Sequence, residues 1–356
     1  MKREGWGTSL TKIRVIGIGG GGVNAVNRLI NRRVIGVEFI AVNTDYLTLA
    51  RSIAPTKLHI GRNVTRGHGT GGNVFLGRQA AYESADQLRQ VIGGTDLLFL
   101  AASMGGGTGS GVIPVVAEIA QELGVLTIAV VTRPFGFEGL QRQRAAEEGI
   151  TQLKRHVDTI LEIPSDRLLG LMNEGASLDE ALSLADRVLG HAIQAISDLV
   201  TSSGLINIDF ADVRTVLMQP GQAFMTVGQA QGAQRAELAV TRALAFPLLD
   251  LSVAGAQDLL VNITAGPELT LGEIQQAVGL IQDAAGSNTS LKFGAVFDAR
   301  MGQELRVTVV AKGLAPVLVE GGAKPTGSGL VKQRPSHIPM PGFLQPALRR
   351  SVQGIG

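Results

Sequence analysis

The sequence predicts an α/β fold in which a parallel-sheet domain is joined by a long central helix to a smaller α+β domain. Three observations predict it. Residues 13–165 alternate strand-like and helix-like segments, the order that yields parallel strands with helices on both faces. Two glycine-rich loops each follow an apolar strand and open a helix. An uninterrupted helical pattern over 178–202 then separates this series from a second one at 222–311.

Residues 13–18 form an apolar run of strand length, and 23–32 space their apolar positions as a helix does. Residues 37–42 are a second strand ending in Asn43-Thr44-Asp45. Residues 57–60 are short and extended, 63–73 are a Gly-rich loop, and 74–91 read as one helix. The apolar stretch 96–102 is a buried strand, followed by Gly105-Gly106-Gly107-Thr108-Gly109-Ser110-Gly111 and a helix over 112–123. A strand at 125–131, a helix at 141–156 and a strand at 159–163 complete the series. The central helix has apolar residues at Leu182, Leu184, Val188, Leu189, Ile193, Ile196 and Leu199. At 1.5 Å per residue it spans about 37 Å and reads as a spine. Beyond it lie strands near 223–227, 259–263, 291–296 and 305–310, with helices near 234–245 and 271–284.

The division that follows is an N-terminal extension at 1–11, a nucleotide-binding domain at 12–177 and the central helix at 178–203. An acidic connection at 204–221 leads to a C-terminal domain at 222–312. Residues 313–335 are rich in Pro and Gly and read as a disordered linker, and 336–356 as a basic tail.

Composition narrows the function classes. The 356 residues are 45% hydrophobic and 17% charged, with mean hydropathy +0.22. That fits a large buried interface or an Ala/Val/Leu-rich core. The most apolar window, 112–131, is broken by Glu118, Gln121 and Glu122, so no membrane span is expected. No apolar run follows the first residues, so no signal peptide is expected. The absence of cysteine excludes disulfides and thiolate metal sites, in keeping with a cytoplasmic location. From Lys312 onward six lysines and arginines face one acid, Glu320, giving that segment +5. The chain carries +2 overall, so the remainder carries −3. A basic tail suits nucleic acid, anionic lipid or an acidic partner, and equally a solvated, solubilising role. Nothing marks a sequence-specific nucleic-acid reader. Within the tail, 338–344 is an apolar island that reads as a short binding motif.

The first loop, Gly17-Ile18-Gly19-Gly20-Gly21-Gly22, fits G-x-G-x-x-G, and Asp45 follows 23 residues after Gly22. Strand, loop, helix and acid are the dinucleotide fingerprint of a Rossmann-like domain, which raises an NAD-dependent oxidoreductase. Against it stands the second loop at Gly105: two helix N-termini aimed at one sheet edge suit a longer phosphate chain, as in a nucleoside triphosphate. No histidine, arginine and aspartate set for hydride chemistry accompanies the fingerprint. No G-x-x-x-x-G-K-[ST] occurs either, so backbone N–H groups, helix dipoles and a divalent cation, Mg²⁺ by default, would meet the phosphate charge.

These motifs together resemble the FtsZ/tubulin GTPase family. The resemblance is carried by Gly105 to Gly111, Gly19 to Asn24, Asn43-Thr44-Asp45, the run from Thr132 to Gly139 and the run from Gly204 to Val213, and it covers about 12–312. It implies the tubulin/FtsZ fold with a GTPase domain, and GTP as substrate. By resemblance Gly20, Gly21, Gly22, Val23 and Asn24 form the first phosphate loop, and Gly107, Thr108 and Gly109 meet the β- and γ-phosphates. Glu138 and Arg142 correspond to residues at the ribose and phosphate edge, and Asp186 to the group that reads guanine, whose N–H pair a carboxylate can accept. Without the resemblance, Asp186 reads as part of a solvated helix face. Asn207, Asp209 and Asp212 correspond to the loop that completes the nucleotide site of the next subunit, the two acids polarising the attacking water. The implied product is a head-to-tail homopolymer, hydrolysing GTP at subunit interfaces as the bacterial cytokinetic ring at mid-cell. The peptide 336–346 resembles the family's docking segment for membrane tethers and division proteins, with His337 where an aspartate is usual. Val23 and Ser103 stand where the family commonly has glycine, and Ser165 where it has an asparagine that touches nucleotide. These departures leave open a divergent paralogue with weak GTPase activity.

Overall fold

The computed structural model describes residues 11–34, 36–169, 172, 177–201, 206, 208–218, 222–245 and 253–313. Asn207, the extension up to residue 10, the linker from 314 and the tail peptide 336–346 lie outside the described residues.

The chain begins β1 (Ile13–Ile18), α1 (Gly19–Asn31), β2 (Val37–Asn43), α2 (Tyr46–Ala50), β3 (Thr56–His59), α3 (Arg62–Thr65), α4 (Val74–Glu83) and α5 (Ala85–Ile92). It continues β4 (Leu97–Ser103), α6 (Gly107–Glu122), β5 (Leu126–Arg133), a 3-10 turn at Gly136–Glu138, α7 (Leu140–Leu153), β6 (Thr159–Pro164), α8 (Ser165–Leu169) and α9 (Leu178–Thr201). The last third holds α10 (Phe210–Leu217), β7 (Gln222–Gln231), α11 (Arg235–Leu244), β8 (Asp258–Ala265), α12 (Leu271–Ala285), β9 (Ser290–Phe297) and β10 (Glu304–Lys312).

The ten described strands form one sheet in the order β3-β2-β1-β4-β5-β6-β7-β10-β8-β9. Pairing is parallel from β3 to β7, antiparallel on both sides of β10, and parallel between β8 and β9. The two halves join where β6 meets β7, through only Ile160↔Gln222 and Leu161↔Ala223.

Strand alternation divides the core of the first half. Ile13, Val15, Leu97, Phe99 and Ala101 pack on one face with Leu29 of α1 and Leu184, Leu189 and Ile193 of α9. Ile16, Ile18, Leu98, Leu100 and Ala102 pack on the other with Ile113 and Val116 of α6. Strands buried on both faces read as the continuous apolar runs seen in the sequence. A third core under β8, β9 and β10 gathers Leu259, Ile263, Ile274, Ile281 and Val307.

The structure departs from the sequence reading in four places. The single helix expected over 74–91 is two, parted at Ser84, whose Oγ accepts the Gly61 N–H at 3.0 Å. The loop at 63–73 contains the last turn of α3, closed by Arg66 in the left-handed region at φ 52°. Helices α1 and α6 begin inside the glycine runs, where intrinsic propensity argues against helix and packing overrides it. Lys312 closes β10 inside the domain boundary drawn at 312 and is fully buried, so its charge does not belong with the charges of the tail.

A candidate phosphate site at the sheet edge

Strands β2, β1 and β4 are neighbours, and the segments that leave their carboxyl ends, Thr44-Asp45, Gly19 to Gly22 and Gly105 to Gly107, meet at one edge. Ligands bind outside such edges in open parallel sheets. Both helices that start there keep their first-turn donors open. Neither Ile18, the N-cap of α1, nor Gly106, the N-cap of α6, makes a side-chain capping bond, and neither first turn carries an acid. Two uncapped helix N-termini at one edge offer N–H groups and positive dipole ends to an anion.

The glycines divide into two kinds. Gly20 and Gly106 face open space, and Gly105 turns the chain at φ 94°. The others make close packing possible. A methyl on Gly22 would sit 2.2 Å from the Ala101 carbonyl oxygen, and one on Gly109 2.3 Å from that of Ser103. On Gly107 it would meet Thr70 Oγ1 at 2.5 Å, and on Gly111 the Val74 oxygen at 2.3 Å. Much of the glycine run thus seats α6 against α4 and β4, and only part of it lies open for a ligand. Val23 lies in the core with α9, so only its backbone is available to a phosphate; Asn24 beside it is exposed.

Gly21 lies under the Ser103 side chain, where a methyl would come within 2.0 Å of Oγ. Gly21→Ala is therefore expected to weaken nucleotide binding, and Gly21→Ala with Ser103→Gly to restore most of it. Equal loss in the single and double variants, measured by nucleotide titration, would show that Ser103 does not set the fit.

Thr108 opens α6 beside two more hydroxyls. Its Oγ1 lies 2.8 Å from Thr44 Oγ1 and 3.3 Å from Thr70 Oγ1. Thr44 and Thr70 are buried, so the three hydroxyls form a fixed cluster at the loop. Neither partner follows from local sequence, although Thr44 ends a predicted strand at the right edge. Asp45, the acid of the dinucleotide fingerprint, is occupied elsewhere. Its Oδ1 accepts Leu47 and Thr48 N–H at 2.9 and 3.2 Å and its Oδ2 accepts the Thr48 hydroxyl at 2.9 Å, capping α2. These bonds outweigh desolvation and hold its carboxyl below the usual range. Asp45→Ala should cost about 1 kcal/mol of stability through the lost cap, and a chain equally stable by denaturant titration would contradict that role.

Glu138 and Arg142 stand together next to the second loop. Arg142 Nη1 donates to Glu138 Oε2 at 2.5 Å, and Glu138 Oε1 accepts the Phe135 N–H at 2.9 Å. With Phe137 and Leu182 they line an open cleft of about 350 Å³. Leu182, expected in the core of the spine, is exposed and forms one wall of this cleft. Asp186 lies one turn further along α9 and is buried, with Oδ2 3.5 Å from Arg28 Nη2 of α1. Burial against α1 rules out the solvated helix face that the Asp186 position suggests when read alone.

The acidic residues are elsewhere. Asp209 occupies the N-cap of α10 but makes no capping bond with its side chain, and it is exposed. Asp212 pairs with Lys292 of β9 at 3.1 Å. The far end of α10 is tied to the amino edge of the parallel strands, where the Leu217 oxygen accepts the Thr159 hydroxyl at 2.5 Å. Strand β9 is seven places from β1, roughly 33 Å at 4.7–4.9 Å per strand. The structure therefore brings Gly20–Asn24, Gly107–Gly109, Thr44 and Thr70 to one site and leaves Asp209 and Asp212 outside it.

Known proteins share this fold. Residues 12–173 match the Tubulin/FtsZ family, GTPase domain, and residues 221–315 match the FtsZ family, C-terminal domain. An empty FtsZ dimer from M. jannaschii is 40% identical with a TM-score of 0.82, over 85% of this chain and 88% of that one. A tryptophan-to-tyrosine mutant of FtsZ from M. jannaschii is 39% identical with the same TM-score, over 85% and 91%. CetZ2 from Haloferax volcanii, 22% identical over 86% and 94%, has the same fold with a TM-score of 0.73.

Proposed function

Because the chain belongs to the tubulin/FtsZ family of GTPases, we propose that it binds GTP at the glycine-loop edge and hydrolyses it only when a second copy delivers Asp209 and Asp212. The observation that carries this reading is the separation of the two halves: open phosphate donors at one sheet edge, and carboxylates outside that site on a helix tied to the other. Head-to-tail contact between unlike edges propagates from copy to copy, and the product is a filament unless the rotation between copies closes it into a ring. An apolar rim supports the same contact. Tyr46, Leu47, Phe75 and Phe137, which leave the segments bordering the loops, are all more than half exposed.

The roles follow from position. Gly20 to Asn24 and Gly107 to Gly109 hold the phosphates, Glu138 and Arg142 border the sugar, and Asp186 accepts the guanine N–H pair after parting from Arg28. Asp209 and Asp212 of the arriving copy orient and polarise water, and Asn207 helps hold their loop. Among the described residues no three carboxylates or histidines converge as a metal cage. The neutral hydroxyls of Thr44, Thr70 and Thr108 suit a Mg²⁺ that rides mainly on phosphate oxygens and water. Such an ion would offset phosphate charge.

The biological setting proposed is the cytoplasmic face of the membrane at mid-cell, as the filament of a division ring. The peptide 336–346 would dock onto a membrane tether or division protein. No helix among the described residues is long and apolar enough to cross a membrane. Sedimentation with GTP and with a slowly hydrolysed analogue, alongside phosphate release, tests the reading. Pelleting with both, and turnover per subunit that rises with protein concentration, is expected. Turnover that is independent of concentration in dilute protein would overturn it. Pelleting without phosphate release would mark a weakly hydrolysing paralogue.

A further inference from the structure

At the junction of β6, α10 and β10 the structure buries a lysine that the nucleotide site does not use. Lys312 is the last residue of β10, and its side chain is wholly enclosed. Its Nζ donates to the Asp158 oxygen at 3.0 Å, to Thr159 Oγ1 at 2.7 Å and to the Leu217 oxygen. An ammonium has three hydrogens, and each finds an acceptor here. The acceptors belong to two pieces far apart in the chain: the consecutive residues Asp158 and Thr159 at the start of β6, and the last residue of α10. Thr159 also donates to Leu217, so the three sites form one knot.

We propose that Lys312 is a positioning residue that fixes α10, and with it Asp209 and Asp212, relative to the nucleotide-binding half of the sheet. The inference rests on the assembly-dependent reading above. Its physical basis is the mismatch between what burial favours and what is found. Burying an ammonium is costly, and an apolar side chain would fill the same space without that penalty. What an apolar chain cannot do is hold three oxygens that join the start of β6 to the end of α10. The Leu217 carbonyl belongs to the unpaired C-terminal turn of a helix, where a cation is favoured. The knot also lies beside the seam where β6 and β7 share only two residue pairs, so the ladder alone ties the halves weakly. Asp158 and Asp258 are the charged groups that face Lys312, and both favour its charged form. Burial outweighs them and lowers its pKa to about 8.

The test compares full-length wild type with Lys312→Met, which keeps the stem and removes the donor. Pelleting with the slowly hydrolysed analogue should persist and KM for GTP should stay within about twofold. Turnover per polymerised subunit should fall at least about tenfold, since an ångström of misplacement can cost about a hundredfold. Wild-type turnover should also decline above pH 8, as Nζ loses its third donor, and the variant should lack that step. Thr159→Val, which removes one acceptor, should act in the same direction and decides the matter where Lys312→Met does not assemble. Unchanged turnover in polymers of either variant, or the same decline above pH 8 in Lys312→Met, would overturn the proposal. Wild-type turnover that ignores protein concentration would instead overturn the assembly reading beneath it.

Discussion

Asp212→Ala is expected to bind GTP near normally and to turn it over about 10²–10⁴-fold more slowly, the range that general acid–base groups contribute. The fold should survive the change. In this chain Asp212 forms an ion pair with Lys292, both partners are nearly half exposed, and such pairs contribute about 0–1 kcal/mol. Its backbone N–H bond to the Asp209 oxygen is untouched by the substitution. The glycine loops lie at the other sheet edge, so nucleotide titration should detect little. A mixing experiment separates this mechanism from a local one. Asp212→Ala retains a complete phosphate edge, and a variant disabled at Thr108 retains a complete acidic edge. Each alone should be nearly inactive, and the mixture should regain phosphate release. A mixture as inactive as its parts would rule out a site shared between copies.

Gly22→Ala should be the most damaging of the loop substitutions that leave chemistry untouched. The added methyl would lie 2.2 Å from the Ala101 oxygen and 3.0 Å from the Gly17 carbonyl carbon, both backbone atoms with no rotamer to adopt. Helix α1 must then lift from β4, at about 3 kcal/mol, the upper end of the usual cost of overpacking. That corresponds to a fall in Tm of roughly 6–12 °C for a domain of this size. Lifting α1 also withdraws Gly20 and Gly21 from the phosphate edge, so affinity for GTP should drop with stability. Gly20→Ala faces open space and is the control, with no loss of Tm expected. Equal melting of Gly22→Ala and wild type would show that α1 can shift without cost.

The parallel half of the fold was legible because its strands are buried on both faces, and burial writes itself as unbroken apolar runs such as 97–102. The spine was legible through its 3.6-residue spacing, confirmed at Leu184, Val188, Leu189, Ile193 and Ile196. Leu182 broke the rule because it lines a cleft, and an apolar cleft wall has the same sequence signature as a core position. The glycine loops stand where the sequence puts them, between strand and helix, and several of their glycines also make close packing possible. Composition reveals that a Cβ is absent, not whether a ligand or a neighbouring helix required its absence. Residues brought in from distant parts of the chain left no local trace. Thr70 reaches Thr108 across 38 positions and Lys312 reaches Thr159 across 153, and no window along the chain spans either distance. Sequence alone places Lys312 at the domain boundary and counts its charge with the tail, since a lysine's charge is visible there and its burial is not.

If copies share the site as proposed, the placement of the glycine loops and of Asp209 and Asp212 on opposite edges fixes how many complete sites an assembly contains. On the shared-site reading a linear run of n subunits contains n − 1 junctions, so one bound triphosphate is always spared. The spared one belongs to the terminal subunit whose glycine edge faces solvent, and the other terminus bears acids with nothing to act on. The two ends of every filament are therefore chemically unlike, whatever its length. Short filaments spare the largest fraction of their nucleotide, so turnover per subunit should climb with mean length and level off. A closed ring, having no ends, would spare none.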